Sequence, residues 1–595
     1  MPLALKNLHV IDESGPYVLE RDVDIPLKRS TPQTKDDPLL VRANVYRPKK
    51  EGRFPVLCTY GPYGKDIPYE QFHAHSFADV NPNHKSKHSA WETPDPLYWT
   101  SNDYVVVRAD ERGSGNSPGK LDSMSSATCD GFVDVVEWAA VQPWSNGKVG
   151  LLGISYYAGS QWRVAARKPA GLACIIPWEG MSDYYRDRVR HGGILSNAFI
   201  KYWYDRQVGS NQYGLGGRTE RNWGTDSLEG VLSAEELAEN RADQTIDTAK
   251  YKFRNEEYYK SRDYNMADIE VPVLSVANWG AIHLHLRGNI FGYLGIGSKL
   301  KYLRFITGRH DLPFYYDEEV AVQKSFLDAF LKGVDPEGWS TPGKVPPISL
   351  CVRRDNPGYN NPQAERDAFP RRPEMEWPIA RTVYTDFNFC KSLQLEMSST
   401  SEVGDGLVTY TAPKGGVTFV STPFKTEAEM TGHPIVRLSI SAEADGDKTP
   451  SEMDIFATLR HIDANGKEVF YTGAVGDPVP LARGWLRVSL RATTKNPTEM
   501  SNIVPERDYL STDVQPVNVG EVYTVDVEIW PTNCVFLPGD KVAIEISSGD
   551  SEGVSVFEHN HPDDRDPEKL GGINAIHIGK EFQNFLRLPI IPAKE

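Results

Sequence analysis

Two hydrophobic rhythms divide the 595-residue chain. Up to residue 344, short apolar runs rich in β-branched residues alternate with segments whose apolar positions recur every three or four residues, the pattern of a parallel sheet with helical crossovers. Residues 39–60 read as two strands, LLVRANVYRP and FPVLCTY, around the turn PKKEGR. Residues 104–119 begin as a β-branched run, YVVVRAD, and end in a Gly/Ser/Asn loop, as expected of a strand buried on both faces. Asp110 and Arg112 then fall at the sheet's C-terminal edge and are expected to brace that loop. Residues 130–142 carry Phe132, Val135, Val136 and Ala139 at helical spacing and stop at Pro143. A strand (Val149, Leu151, Leu152), a helix over 156–167 and a strand over 172–178 follow. The same alternation resumes at 271–279, 284–293 and 300–307, and an amphipathic helix over 318–332, with Val322, Phe326, Ala329 and Phe330 as its stripe, completes it.

Residues 180–268 interrupt this order. They are rich in Tyr, Trp, Arg, Asn and Gly and then become charged and helical. So many aromatics need an apolar surface to cover, so the insertion reads as a lid over the sheet's edge. From residue 345 the rhythm changes to short alternating segments between turns, such as Tyr523, Val525, Val527 and Ile529 against Thr524, Asp526 and Glu528. That is the pattern of half-buried antiparallel strands. The expected architecture is an α/β domain in two pieces, 1–179 and 269–344, a helical cap over 180–268, and a β-sandwich of jelly-roll, galactose-binding-like type over 345–595.

Composition narrows the partners. A formal net charge of -16 argues against nucleic acid and anionic membrane. No apolar run is long enough to span a bilayer and the N-terminal residues lack a signal-peptide pattern, so a cytoplasmic chain is expected. The six cysteines have no paired spacing and read as reduced, structural thiols. The expected partner is a small-molecule substrate, with no metal or cofactor; the oligomeric state stays open, a homodimer being one option.

The candidate chemistry centres on residues 148–163, KVGLLGISYYAGSQWR. An apolar strand meets Gly153, Ile154 and Ser155 and must continue as a helix, which places Ser155 on a strand-to-helix elbow with its hydroxyl exposed. Tyr157 stands where the usual Gly-x-Ser-x-Gly pattern has its second glycine. His310 follows a later strand, in the chain order of an α/β-hydrolase, and could take the Ser155 proton during attack on a carbonyl. The backbone N–H of Tyr156 would be one donor to the resulting oxyanion. Tyr63, in GPYGK at another strand's C-terminal end, reads equally well as a half-buried loop aromatic or as part of a site.

These segments resemble the family of serine hydrolases that includes cocaine esterase, X-prolyl dipeptidyl aminopeptidase and the α-amino-acid ester hydrolases (CocE/NonD type). The resemblance is carried, in order, by VYRP, GPYGK, VVVRADERGSGNSPG, the Trp138/Trp144 region, GISYYAGSQW, PWEG, HDLPFY with FLDAFLKG, and NCVFLPG. It implies Ser155 as nucleophile, His310 as base, the Tyr63 hydroxyl as second oxyanion donor, 180–268 as cap and the C-terminal part as jelly roll. In one place the chain departs from the family: where relatives carry the triad aspartate shortly after a tryptophan, this chain has Asn278-Trp279-Gly280-Ala281. Three readings stay open: another acid, Glu179 first and Asp183 second, orients His310; a Ser-His dyad works slowly or without hydrolysis; or Ala281 is an introduced, silencing change. Glu179 could equally brace the cap. The leading expectation is hydrolysis of an ester or amide of a bulky acyl substrate through an acyl-enzyme. Its rivals are acyl transfer, or carbon-carbon cleavage or cyclisation with His310 as base, and a degenerate hydrolase that only binds. His283 and His285 are expected to pack or to brace a loop.

Overall fold

A computed structural model of the chain describes residues 3–29, 38–226, 229–397, 404–551 and 553–592. The first sheet has eleven strands among these residues. They are β1 (Val10–Asp12), β2 (Val18–Pro26), β3 (Leu40–Arg47), β4 (Phe54–Gly61), β5 (Val105–Asp110), β6 (Ser145–Ile154), β7 (Leu172–Trp178), β8 (Val273–Asn278), β9 (Lys301–Ile306), β10 (Ile348–Cys351) and β11 (Arg371–Glu374). Their order is β1-β2-β3-β5-β4-β6-β7-β8-β9-β10-β11. From β5 to β10 neighbouring strands run parallel; the two ends of the sheet are antiparallel.

Every residue of β4, β5 and β8 is buried, as expected of strands covered on both faces. The covering helices include α1 (Ser126–Ala140), α2 (Tyr156–Ala166), α3 (Leu286–Gly295) and α4 (Asp317–Leu327). α1 starts at Ser125, whose side chain accepts from Thr128 N–H, the usual N-cap bond. The sheet runs past residue 344, where the change of sequence rhythm sets the boundary, because β10 and β11 add to its edge. Both strands have only four residues and lie among prolines, so their periodicity is too brief to read.

The segment between β7 and β8 holds short helical turns and a small hairpin. After β11 the strands, from Val383–Phe389 to Phe585–Ile591, are largely antiparallel. In Tyr523–Glu528, Tyr523, Val525 and Val527 are buried while Thr524 is exposed. One apolar cluster runs from Trp279, Ile282 and Phe305 of the first sheet into Val436, Trp485 and Val527 of the second. Polar ties cross the same boundary: Arg190 with Asp564 at 2.8 Å, Arg287 with Glu528 at 2.8 Å, and His310 N–H to Ala474 O at 2.9 Å.

Candidate active site

Ser155 follows β6 directly and caps α2 with φ 60° and ψ −114°, a strained conformation for a residue with a Cβ. Tight packing holds it: Ser155 N–H donates to Trp178 O at 3.1 Å, and Ile154 N–H to Glu92 O at 3.1 Å. A Cβ on Gly153 would come within 2.6 Å of Tyr157 Cβ, so the turn accepts only glycine there. Tyr157 fits the place usually held by glycine because Gly61, at the end of β4, leaves room for its ring; a Cβ on Gly61 would lie 2.7 Å from Tyr157 Cε1.

Two groups beside this elbow have a hydrogen left to donate, the Tyr63 ring lying 6.0 Å from that of Tyr156. The Tyr156 N–H sits at the first position of α2, where no intrahelical acceptor exists. The Tyr63 hydroxyl accepts from Trp203 Nε1 at 2.8 Å, so its own hydrogen is left to donate. Burial raises the Tyr63 pKa well above 10, and the charge of Glu92 adds to the effect, so the phenol stays protonated. Trp203 belongs to the insertion and stacks on Tyr156 with ring centroids 6.0 Å apart. Residues of the expected lid thus reach the elbow.

His310 Nδ1 lies 2.8 Å from Glu179 Oε2. Glu179 stands one residue past β7 at φ 49°, and its other oxygen accepts from Asn278 Nδ2 at 3.2 Å. Asn278 also donates to Gly308 O at 2.7 Å, so one amide ties the acid to the loop that carries His310. Asp183 does not take part: it caps a helical turn through Arg186 N–H and pairs with Arg186 at 3.0 Å and Arg254 at 3.5 Å. Ala281 packs in the core beside Trp279 and Ile282. Asp110 accepts from the N–H groups of Lys65 and Asn116, at 2.6 and 3.1 Å, which is the loop bracing expected of it.

Two functional neighbours escape sequence reasoning. Glu92 Oε1 lies 3.3 Å from His310 Nε2, and its Oε2 is buried with no hydrogen-bond partner. His285, expected to pack, places Nε2 3.3 Å from Ser155 Oγ and stacks face to face on His310, centroids 5.0 Å apart. His283 stacks on Phe557 at 5.1 Å. Among the described residues no hydrogen bond joins Ser155 to His310, so the direct contact expected from sequence is absent from this arrangement. Glu92 lies in an irregular, proline-rich turn, where no periodicity singles out a site residue. For His285 the spacing from Ala281 was the available signal, and it fits packing equally well.

Protonation follows from these contacts. Met181 N–H donates to His285 Nδ1 at 3.1 Å, so the ring proton is on Nε2 and is directed at Ser155 Oγ. Burial, with the charges of His310 and Arg188, lowers the His285 pKa well below 6.5. Neutral His285 is therefore a donor to Ser155 and cannot accept its proton in this tautomer. Burial favours neutral His310 too, but the carboxylates of Glu179 and Glu92 outweigh it and raise its pKa to about 10. Burial raises the Glu92 carboxyl to about 7, with His310 opposing, and raises Glu179 as well.

Comparison with known proteins identifies the family and the fold. Residues 37–307 match the model of the X-Pro dipeptidyl-peptidase S15 family, and residues 345–587 that of the X-Pro dipeptidyl-peptidase C-terminal non-catalytic domain. The cocaine esterase of Rhodococcus sp. (strain MB1 Bresler) is 24% identical over 97% of this chain and 99% of its own length. A CocE/NonD family hydrolase from Staphylococcus aureus superposes with a TM-score of 0.80 at 25% identity, covering 98% of this chain and 96% of that one. An α-amino acid ester hydrolase shares the fold, with a TM-score of 0.64 at 15% identity over 98% of both chains. The chain belongs to the CocE/NonD and X-Pro dipeptidyl-peptidase S15 family of serine hydrolases.

Proposed function

We propose that the chain hydrolyses an ester or amide through an acyl-enzyme on Ser155, with His310 as base, Glu179 as its orienting acid, and Tyr63 with the Tyr156 N–H as oxyanion donors. The observation that carries this reading is the 2.8 Å contact between His310 Nδ1 and Glu179 Oε2, which supplies a carboxylate although position 281 has none. A non-hydrolytic use of the site drew its support from that missing carboxylate and is correspondingly weaker.

In the reaction, His310 Nε2 exchanges Glu92 for Ser155 and must be neutral to take the hydroxyl proton. Oγ attacks the carbonyl carbon, and the oxyanion forms between the Tyr63 O–H and the Tyr156 N–H. The proton on His310 then passes to the leaving group, and water repeats the sequence to release the acid. His285 holds Ser155 Oγ from a second side throughout. The enclosing aromatics, Trp203 among them, support a bulky acyl group.

Labelling with a fluorophosphonate tests the reading. The native chain should form one adduct at Ser155, Ser155→Ala none, and Glu179→Gln should label more slowly by up to about 10⁴, the scale set by loss of an orienting acid. An unlabelled native chain would sink the acyl-enzyme, and undiminished labelling of Glu179→Gln would sink the assigned acid.

A further inference from the structure

Among the described residues, Arg188 is a buried cation without an anionic partner. It lies on the π-helical turn Tyr184–Val189 of the insertion and is 4% exposed. Its neighbours show how this chain satisfies other buried arginines. Arg190 pairs with Asp564 at 2.8 Å and Arg287 with Asp187 at 2.9 Å, while Arg163, whose Nε is buried without a partner, donates through its Nη atoms to the carbonyls of Met124, Ser125 and Ser261. Among the described residues Arg188 makes one hydrogen bond, from Nη2 to Gln244 Oε1 at 3.2 Å. Its Nε is buried without a partner, and no carboxylate lies within ion-pair distance among the described residues.

The place of this charge ties it to the reaction. The guanidinium lies over the Trp203 ring, 4.2 Å from its centroid, and Trp203 donates to the Tyr63 hydroxyl. Its charge acts on Tyr63 and on His285, the groups on two sides of Ser155. An aromatic face stabilises a desolvated guanidinium. It does not satisfy the N–H groups, and an uncompensated buried charge costs several kcal/mol. A planar oxyanion would supply what is missing, since the guanidinium fork matches a carboxylate in two parallel hydrogen bonds.

We propose that Arg188 binds a carboxylate of the substrate, so that the site selects esters or amides carrying a free carboxylate near the scissile carbonyl. This deepens the hydrolytic reading and rests on it. Benzoate and benzamide, alike in shape and different in charge, separate the two claims by calorimetry, which needs no turnover. The native chain should bind benzoate at least about tenfold tighter than benzamide. Arg188→Gln should bring that ratio to about one, with Arg188→Lys between. Equal affinities in the native chain, or a preference that survives in Arg188→Gln, would overturn the proposal. For turnover, 4-nitrophenyl hydrogen adipate should exceed 4-nitrophenyl hexanoate in kcat/KM by a similar factor, and the ratio should collapse in Arg188→Gln. Failure of both esters while benzoate is still preferred would count against hydrolysis and leave the anion site standing.

Discussion

Replacing Glu92 by Gln removes the charge facing His310 Nε2 and keeps the side chain's shape. The contact is 3.3 Å long. Two unit charges at that distance interact by roughly 5 kcal/mol at an effective dielectric of 20, equivalent to about three to four pH units at 1.36 kcal/mol each. The Glu92 carboxyl is raised to about 7 and His310 to about 10, so Glu92 is ionised where His310 titrates. Most of that interaction is therefore lost in the variant; the amide dipole returns part of it, leaving an expected fall of about two units or more. The sign is fixed by the mechanism: the imidazolium cannot take the serine proton, so the rate rises with pH and levels off above the His310 pKa. With a pKa of about 10, on the order of one native molecule in a thousand has neutral His310 at pH 7. The rate of fluorophosphonate labelling, followed from pH 5.5 to 10.5, should show an alkaline midpoint in the native chain. In Glu92→Gln the midpoint should move to lower pH, with labelling at pH 7 faster by at least about tenfold. A midpoint that moves by less than half a unit, in a variant whose melting curve matches the native one, would refute the assignment of Glu92 as the second carboxylate, beside Glu179, that holds His310 protonated.

Tyr63→Phe deletes one oxyanion donor and should lower kcat by about 10² to 10³ with little change in KM; an effect on KM alone would make Tyr63 a packing residue. Ala281→Asp should not rescue or accelerate the reaction, because position 281 is 2% exposed within the apolar core. An unpaired carboxylate there should destabilise the fold by several kcal/mol, seen as a lowered Tm, whereas a gain in kcat would mean that 281 still opens onto the site.

Much of the site could be read from the chain because regular elements carry it. Ser155 follows a strand whose apolar run announces it, His310 lies four residues past the end of another, and Glu179 stands one residue past the strand that follows the elbow helix, so parallel pairing brings all three to one edge. Glu92 and His285 belong to irregular backbone, where position depends on packing between distant segments. The tolerance for Tyr157 has the same origin, since it depends on Gly61 at the end of a different strand. The proton on His285 Nε2 was out of reach for a further reason: a backbone N–H from Met181 sets it, and side-chain identity carries no trace of that bond. At the domain boundary, the second rhythm is clear once strands reach six or nine residues, while the four-residue strands β10 and β11 are too short to declare which sheet they join.

The backbone of His310 leans on Ala474, and the insertion is clamped to the second sheet through Arg190 and Asp564. A fragment ending near residue 344 would keep the nucleophile and the imidazole's side-chain neighbours yet leave the His310 backbone N–H without its acceptor. The half of the molecule that contributes no reacting group therefore helps to hold the loop of the base in place. Chimeras joined between the two halves of different relatives would carry their seam through the proton-transfer machinery itself.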